Sequence, residues 1–113
     1  MGRLEGKVAF ISGGARGQGR SHAVLMAEEG ADIITLDLCR QVESVEYPMA
    51  TPEDLEETIR LVEKTGRRIV ARQADVRDFD AVAAVLAEGV AELGRVDFVL
   101  ANAGIMPTLG DRG

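Results

Sequence analysis

The chain contains one cysteine, one histidine, one tyrosine and no tryptophan. A lone cysteine, Cys39, excludes an internal disulfide and a zinc site built from cysteines. Basic residues are outnumbered, 13 against 19 acidic ones, for a formal charge of −6. That balance offers no basic stripe to a phosphate backbone, so nucleic acid is not an expected partner and the acidity reads as a solvated surface. No apolar run approaches membrane-spanning length and no leader pattern opens the sequence, so no membrane partner and a cytoplasmic setting are expected. Internal repeats and low-complexity segments are also missing. The 113 residues, 46% of them apolar, suffice for one domain with a modest core.

What the chain does have is glycine in one place. Val8–Ser12 (VAFIS) is short, apolar and β-branched, as a buried strand should be. Glycines follow at Gly13, Gly14, Gly17 and Gly19, and a helical pattern runs over Gly19–Glu29, with Ala23, Val24 and Ala27 on one face. A strand that breaks into glycines and restarts as a helix presents its first helical N–H groups and the positive end of the helix dipole to an anion. Glycine is required there because a Cβ would keep the backbone from approaching a pyrophosphate. The opening therefore reads as a phosphate cradle. Its order is G-x-x-x-G-x-G rather than the G-x-G-x-x-G fingerprint, and no Gly-Lys-Ser/Thr of a P-loop follows.

Strand and helix patterns alternate from end to end. Gly30 stands where a helix C-cap belongs, and Asp32–Asp37 (DIITLD) reads as the second strand. Residues 38–51 form a stretch long enough for a functional insertion on the adenosine side. Thr51 then predicts an N-cap, Pro52 fits a first turn, Glu53 and Asp54 complement the dipole, and Gly66 ends that helix. Arg68–Gln73 is the expected third strand. Asp78 or Asp80 opens a last helix with Val82, Val85, Leu86, Val90 and Leu93 on one side, closed by Gly94, before Val96–Ala101 as the fourth strand. Such alternation predicts an α/β fold with a parallel sheet covered on both faces. Two strand orders fit it: the doubly wound 3-2-1-4, and a flavodoxin-like order whose first loop grips a single phosphate.

Asp37 chooses between them. A carboxylate closing the second strand can accept both ribose hydroxyls of an adenosine whose pyrophosphate lies on the first helix, which favours the doubly wound order. It would also repel a 2′-phosphate, so NAD is favoured over NADP.

Preceded by Ser12, the glycine string resembles the T-G-x-x-x-G-x-G turn of the short-chain dehydrogenase/reductase family, with serine for threonine. In that family a basic residue at the place of Arg16 often marks NADP enzymes; against the nearby acid that signal carries less weight, and Arg16 would pair with Asp37 or lie on the adenine. Asp75-Val76 after the third strand and Asn102-Ala103-Gly104 after the fourth extend the resemblance over residues 5–106. It implies a Rossmann-like domain over residues 1–113, ending after the fourth strand, that binds NAD. Gly13, Ala15, Arg16, Gly17, Gln18 and Gly19 would line the pyrophosphate side, Asp37 and Leu38 the ribose, Asp75 and Val76 the adenine, and Asn102, Ala103 and Gly104 the nicotinamide ribose. The strings Gly17-Gln-Gly-Arg-Ser-His22, Asp37-Leu-Cys-Arg and Tyr47-Pro-Met-Ala-Thr-Pro52 look like the mycofactocin-coupled, carveol-dehydrogenase-like subgroup, whose insertion folds over the adenosine end and holds NAD tightly. His22, Cys39 and Tyr47 read as structural: a helix contact, a small hydrophobe or loop thiol, and a packing ring.

The family's chemistry, hydride exchange between NAD(H) and an alcohol or ketone, uses a serine and a tyrosine with a lysine four residues later. Here Tyr47 is followed at that distance by Thr51, and the lysines are Lys7 and Lys64. No catalytic residue is therefore assigned, and the 113-residue chain by itself is expected to be inactive. Three readings follow: the amino-terminal part of an oxidoreductase, a stand-alone NAD-binding module, or a decayed product. The fourth strand carries one charge in Val96–Ala101 and would have an open edge, so self-association or a homo-oligomer is expected.

Overall fold

The computed structural model describes residues 2–15, 17–38 and 50–101. In chain order the elements are β1 (Val8–Ser12), α1 (Gly17–Glu28), β2 (Asp32–Asp37), α2 (Pro52–Lys64), β3 (Ile69–Gln73), α3 (Phe79–Leu93) and β4 (Phe98–Ala101). The strands form one parallel sheet in the order β3-β2-β1-β4. The doubly wound order holds, and the flavodoxin-like alternative does not.

Every residue of β1 is buried because the sheet is covered on both sides, so burial shows no alternation although the side chains alternate. Val8 and Phe10 join Ile34, Leu36 and Val70 beneath Val85 and Leu93 of α3. Ala9 and Ile11 face the opposite way, with Ile33, toward Ala23 and Ala27 of α1 and Val62 of α2. A third cluster joins Ala15, Ala50, Leu55 and Ala71 where α2 meets the glycine loop.

The helix ends follow local chemistry. Thr51 and Asp54 form a capping box at α2: Thr51 Oγ1 accepts from the Asp54 N–H at 3.1 Å, and the Asp54 carboxylate accepts from the Thr51 N–H at 2.9 Å. Asp78 caps α3 by accepting from the Ala81 N–H, and Gly94, at φ +96°, closes it.

Two expectations are corrected by packing. Val90 is 37% exposed instead of lying on the apolar side of α3. The sheet-facing position belongs to Gly89, where a Cβ would stand 2.5 Å from Ile34 Cδ1. β4 starts at Phe98 rather than Val96, because Asp97 engages Val8 twice, through its N–H to the Val8 carbonyl at 2.8 Å and its carboxylate to the Val8 N–H at 2.9 Å. Smaller shifts start α1 at Gly17 instead of Gly19 and β3 at Ile69 instead of Arg68.

Asp32 fixes the corner between α2 and β3. Its carboxylate accepts from the Arg68 N–H at 2.9 Å, Arg67 Nε at 3.1 Å and Arg68 Nη2 at 3.2 Å. Burial pushes this carboxyl up, but the Arg68 amide and the Arg67 and Arg68 guanidiniums outweigh it and hold it below its ordinary 3.8. Asp97 is also lowered, first by Arg95 and then by the Val8 amide. A carboxylate depressed in the fold contributes stability that is complete above its unfolded value and is lost as pH falls toward its folded one. The melting temperature should therefore fall in acid below about pH 4. Asp32→Asn should remove part of that slope and cost about 1.5–3 kcal/mol at neutral pH. Melts of both proteins from pH 7 to 3 check this; parallel curves would contradict it.

Candidate cofactor site

All four strands run the same way, so Ser12, Asp37, Gln73 and Ala101 end on one edge of the sheet. In open α/β sheets this carboxyl edge, beside the point where strand order reverses, is where ligands bind. Here the reversal lies between β1 and β4, and the glycine loop leaves the carboxyl end of β1 beside it.

That loop is held tightly. The Gly13 N–H donates to the Leu36 carbonyl at 2.8 Å, and Gly13 sits at φ +74°. A Cβ on Gly14 would collide with Thr35 Oγ1, whose own hydrogen bond goes to the Ile11 carbonyl. A Cβ on Gly19 would stand 2.6 Å from the Gly13 carbonyl carbon and 3.0 Å from Gly14 Cα. The first turn of α1 therefore lies directly against the loop backbone. Gly17, at φ +63°, has open space where a Cβ would be, and Gln18 beside it is exposed.

The first turn of α1 contains no acidic residue, whereas α2 and α3 carry Glu53, Asp54 and Asp80 in theirs. The first N–H groups of a helix lack acceptors within it, and acids normally complement the positive end. α1 carries no such acid, and a loop that approaches this closely without side chains would suit a pyrophosphate.

Asp37 and the loop are brought together directly: the carboxylate accepts from the Ala15 N–H at 3.0 Å. The Asp37 carbonyl accepts from the Ala74 N–H at 2.9 Å, which brings the turn at Asp75 and Val76 beside the end of β2. The Asp75 carboxylate itself is gripped by Arg77 Nε at 3.0 Å and Nη2 at 2.8 Å. Leu38 is half-buried next to Asp37, and Val76 packs against the α3-side core. Arg16, Cys39, Tyr47, Asn102, Ala103 and Gly104 lie outside the described residues. Among the described residues, no cluster of three potential metal ligands occurs, and no helix is long and apolar enough to cross a membrane.

Sequence reasoning missed Arg20 and Thr58, which contact the loop from beneath. A signal existed for the first: a cation in the first turn of a helix opposes the dipole, and so calls for a specific partner. Thr58 gave none, since a threonine inside an amphipathic helix reads as filler.

A profile of the short chain dehydrogenase family matches residues 7–112. The (−)-trans-carveol dehydrogenase of Rhodococcus erythropolis is 50% identical over 105 residues, 93% of this chain and 38% of its own length. Among solved structures, carveol dehydrogenase from Mycobacterium avium in complex with NAD superposes with a TM-score of 0.90 at 59% identity, over 93% of this chain and 38% of that one. A short chain dehydrogenase from Mycobacterium paratuberculosis bound to NAD gives 0.89 at 57% identity, over 98% of this chain and 42% of that one. The chain thus spans about two fifths of the length of these relatives. Glycine loop, strand order and match over 7–112 agree: the chain belongs to the short chain dehydrogenase family.

Proposed function

We propose that this chain is the NAD-binding part of an oxidoreductase that moves a hydride between NAD(H) and an alcohol or ketone. The observation that carries the reading is the 3.0 Å bond from the Ala15 N–H to Asp37, which makes the glycine loop and the acid at the end of β2 one unit. The NAD-bound carveol dehydrogenase that it resembles supports the choice of cofactor.

In this reading the α1 N-terminus and the Gly13–Gly19 loop hold the pyrophosphate, and Asp37, with Leu38 beside it, holds the adenosine ribose. Asp75 and Val76 border the adenine, and Arg16, Asn102, Ala103 and Gly104 complete the site. NAD supplies the hydride acceptor when bound. The residues named here bind and orient it, and none of them is assigned a proton transfer. The substrate, a small alcohol or ketone, belongs to the longer protein, as does the mycofactocin-type retention of NAD. Self-association of the chain is part of the same reading.

Calorimetric titration with NAD and NADP tests it. NAD should bind more tightly than NADP, because Asp37 repels a 2′-phosphate. Losing a charged hydrogen-bonding partner costs about 1.5–3 kcal/mol, so Asp37→Ala should weaken NAD binding about tenfold or more. Tighter NADP binding by the unmutated chain would overturn the assignment.

A further inference from the structure

Thr58 is wholly buried in the middle of α2, yet its hydroxyl is surrounded by polar atoms of other elements. Thr58 Oγ1 lies 2.8 Å from the Gly14 carbonyl oxygen and 3.0 Å from that of Ala15, and accepts from Arg20 Nε at 2.9 Å. Arg20 Nη2 donates to the Ala15 carbonyl and to the Asp54 carbonyl, both at 2.7 Å. One guanidinium thus joins the glycine loop, the first turn of α1 and the first turn of α2. A lysine could not do this, because three acceptors in fixed directions need the planar fork.

In a trans peptide the C=O and the following N–H point in opposite directions, and the described chain has no cis bond. The Gly14–Ala15 peptide is accordingly held from both sides: its carbonyl by Thr58, its N–H by Asp37 at 3.0 Å. The next carbonyl, that of Ala15, is held on the same side by Arg20. A carbonyl left facing an anion would repel it, so drawing both toward α2 decides what the loop shows to a phosphate.

We infer that Arg20 and Thr58 are positioning residues for the dinucleotide: they pin the Gly14 and Ala15 carbonyls against α2 and so set the loop in its anion-binding shape before the ligand arrives. This rests on the NAD-binding reading above. It also ties the loop to the end of the 38–51 segment, since Ala50 is buried against Ala15 and Leu55 just ahead of the clamp.

The test uses the 113-residue chain with Thr58→Val, Thr58→Ser and Arg20→Lys, read by amide hydrogen exchange without NAD and by the Kd for NAD. Thr58→Val keeps the shape and removes the hydroxyl. It should speed exchange over residues 13–19, leave Ile33–Leu36 unchanged, and raise the Kd about tenfold, the scale of one lost hydrogen bond. Arg20→Lys should do the same, and Thr58→Ser should restore both readouts. Unchanged loop exchange in Thr58→Val, or faster exchange with an unaltered Kd, would overturn the positioning role. If Thr58→Val does not fold, Thr58→Ser decides: a folded, NAD-binding serine variant supports the hydroxyl, and an equally impaired one overturns it. If the unmutated chain binds no NAD, the binding reading fails, and the exchange data alone uphold or overturn the clamp.

Discussion

Gly19→Ala should abolish measurable NAD binding and lower the melting temperature, the largest effect expected of any single methyl group in this chain. The added Cβ would overlap the Gly13 carbonyl and stand 3.0 Å from Gly14 Cα, and both obstacles are backbone rather than the end of a flexible side chain. Relief requires moving the loop, which Asp37, Thr58 and Arg20 all hold. Overpacking of this kind costs about 1–3 kcal/mol, and more where nothing can give. Gly17→Ala is the control. It meets no atom of the chain within 4 Å, so its cost in stability comes from the left-handed backbone at φ +63°. That is about 1–2 kcal/mol. Thermal melts and calorimetry on both variants would separate crowding from backbone strain. A Gly19→Ala protein with unaltered melting and affinity would show that the loop yields freely, contrary to the close contact described.

The second large effect concerns association. Among the described residues β4 pairs with β1 on one side and with no strand on the other. Val99, next to Phe10 in register, is 67% exposed in the middle of that strand. An unpaired edge with an exposed β-branched residue and no lysine or proline to interrupt it invites another chain. The 12.1 kDa chain should therefore sediment as dimers or larger species at micromolar concentration, and Val99→Lys should shift it toward monomer. A monodisperse monomer with a cooperative melt, unaffected by Val99→Lys, would refute this.

Much of this fold was legible because its signals are local. β1 and β2 have the expected limits, since each is an apolar, β-branched run stopped by a glycine or an acid. Thr51 with Asp54 and Gly94 with its positive φ mark helix ends within a few residues of chain. The rest was decided by partners far away in sequence. Val90 looked like a core residue because periodicity counts apolar side chains, and Gly89, having none, is invisible to it. At the site, Asp37 could be read from its place at the end of a strand. The Arg20–Thr58 bond joins residues 38 apart, and polar contacts across helices leave no periodic trace. That the Asp75 carboxylate would be gripped by Arg77 was likewise not foreseen, since nothing in the spacing distinguishes such a pair from two solvated charges.

The pairing of β1 with β4 has a consequence for synthesis. Val8 meets Asp97 across 89 residues of chain, whereas β1 finds β2 after one helix. A ribosome adding about 5–20 residues per second needs on the order of ten seconds to cover that interval. During it, β1 has emerged with a neighbour on one flank only, and its other row of amide and carbonyl groups faces whatever is nearby. The open flank of β1 is thus a hazard during synthesis, and a chaperone that shelters Val8–Ser12 until β4 emerges would raise the yield of folded chain.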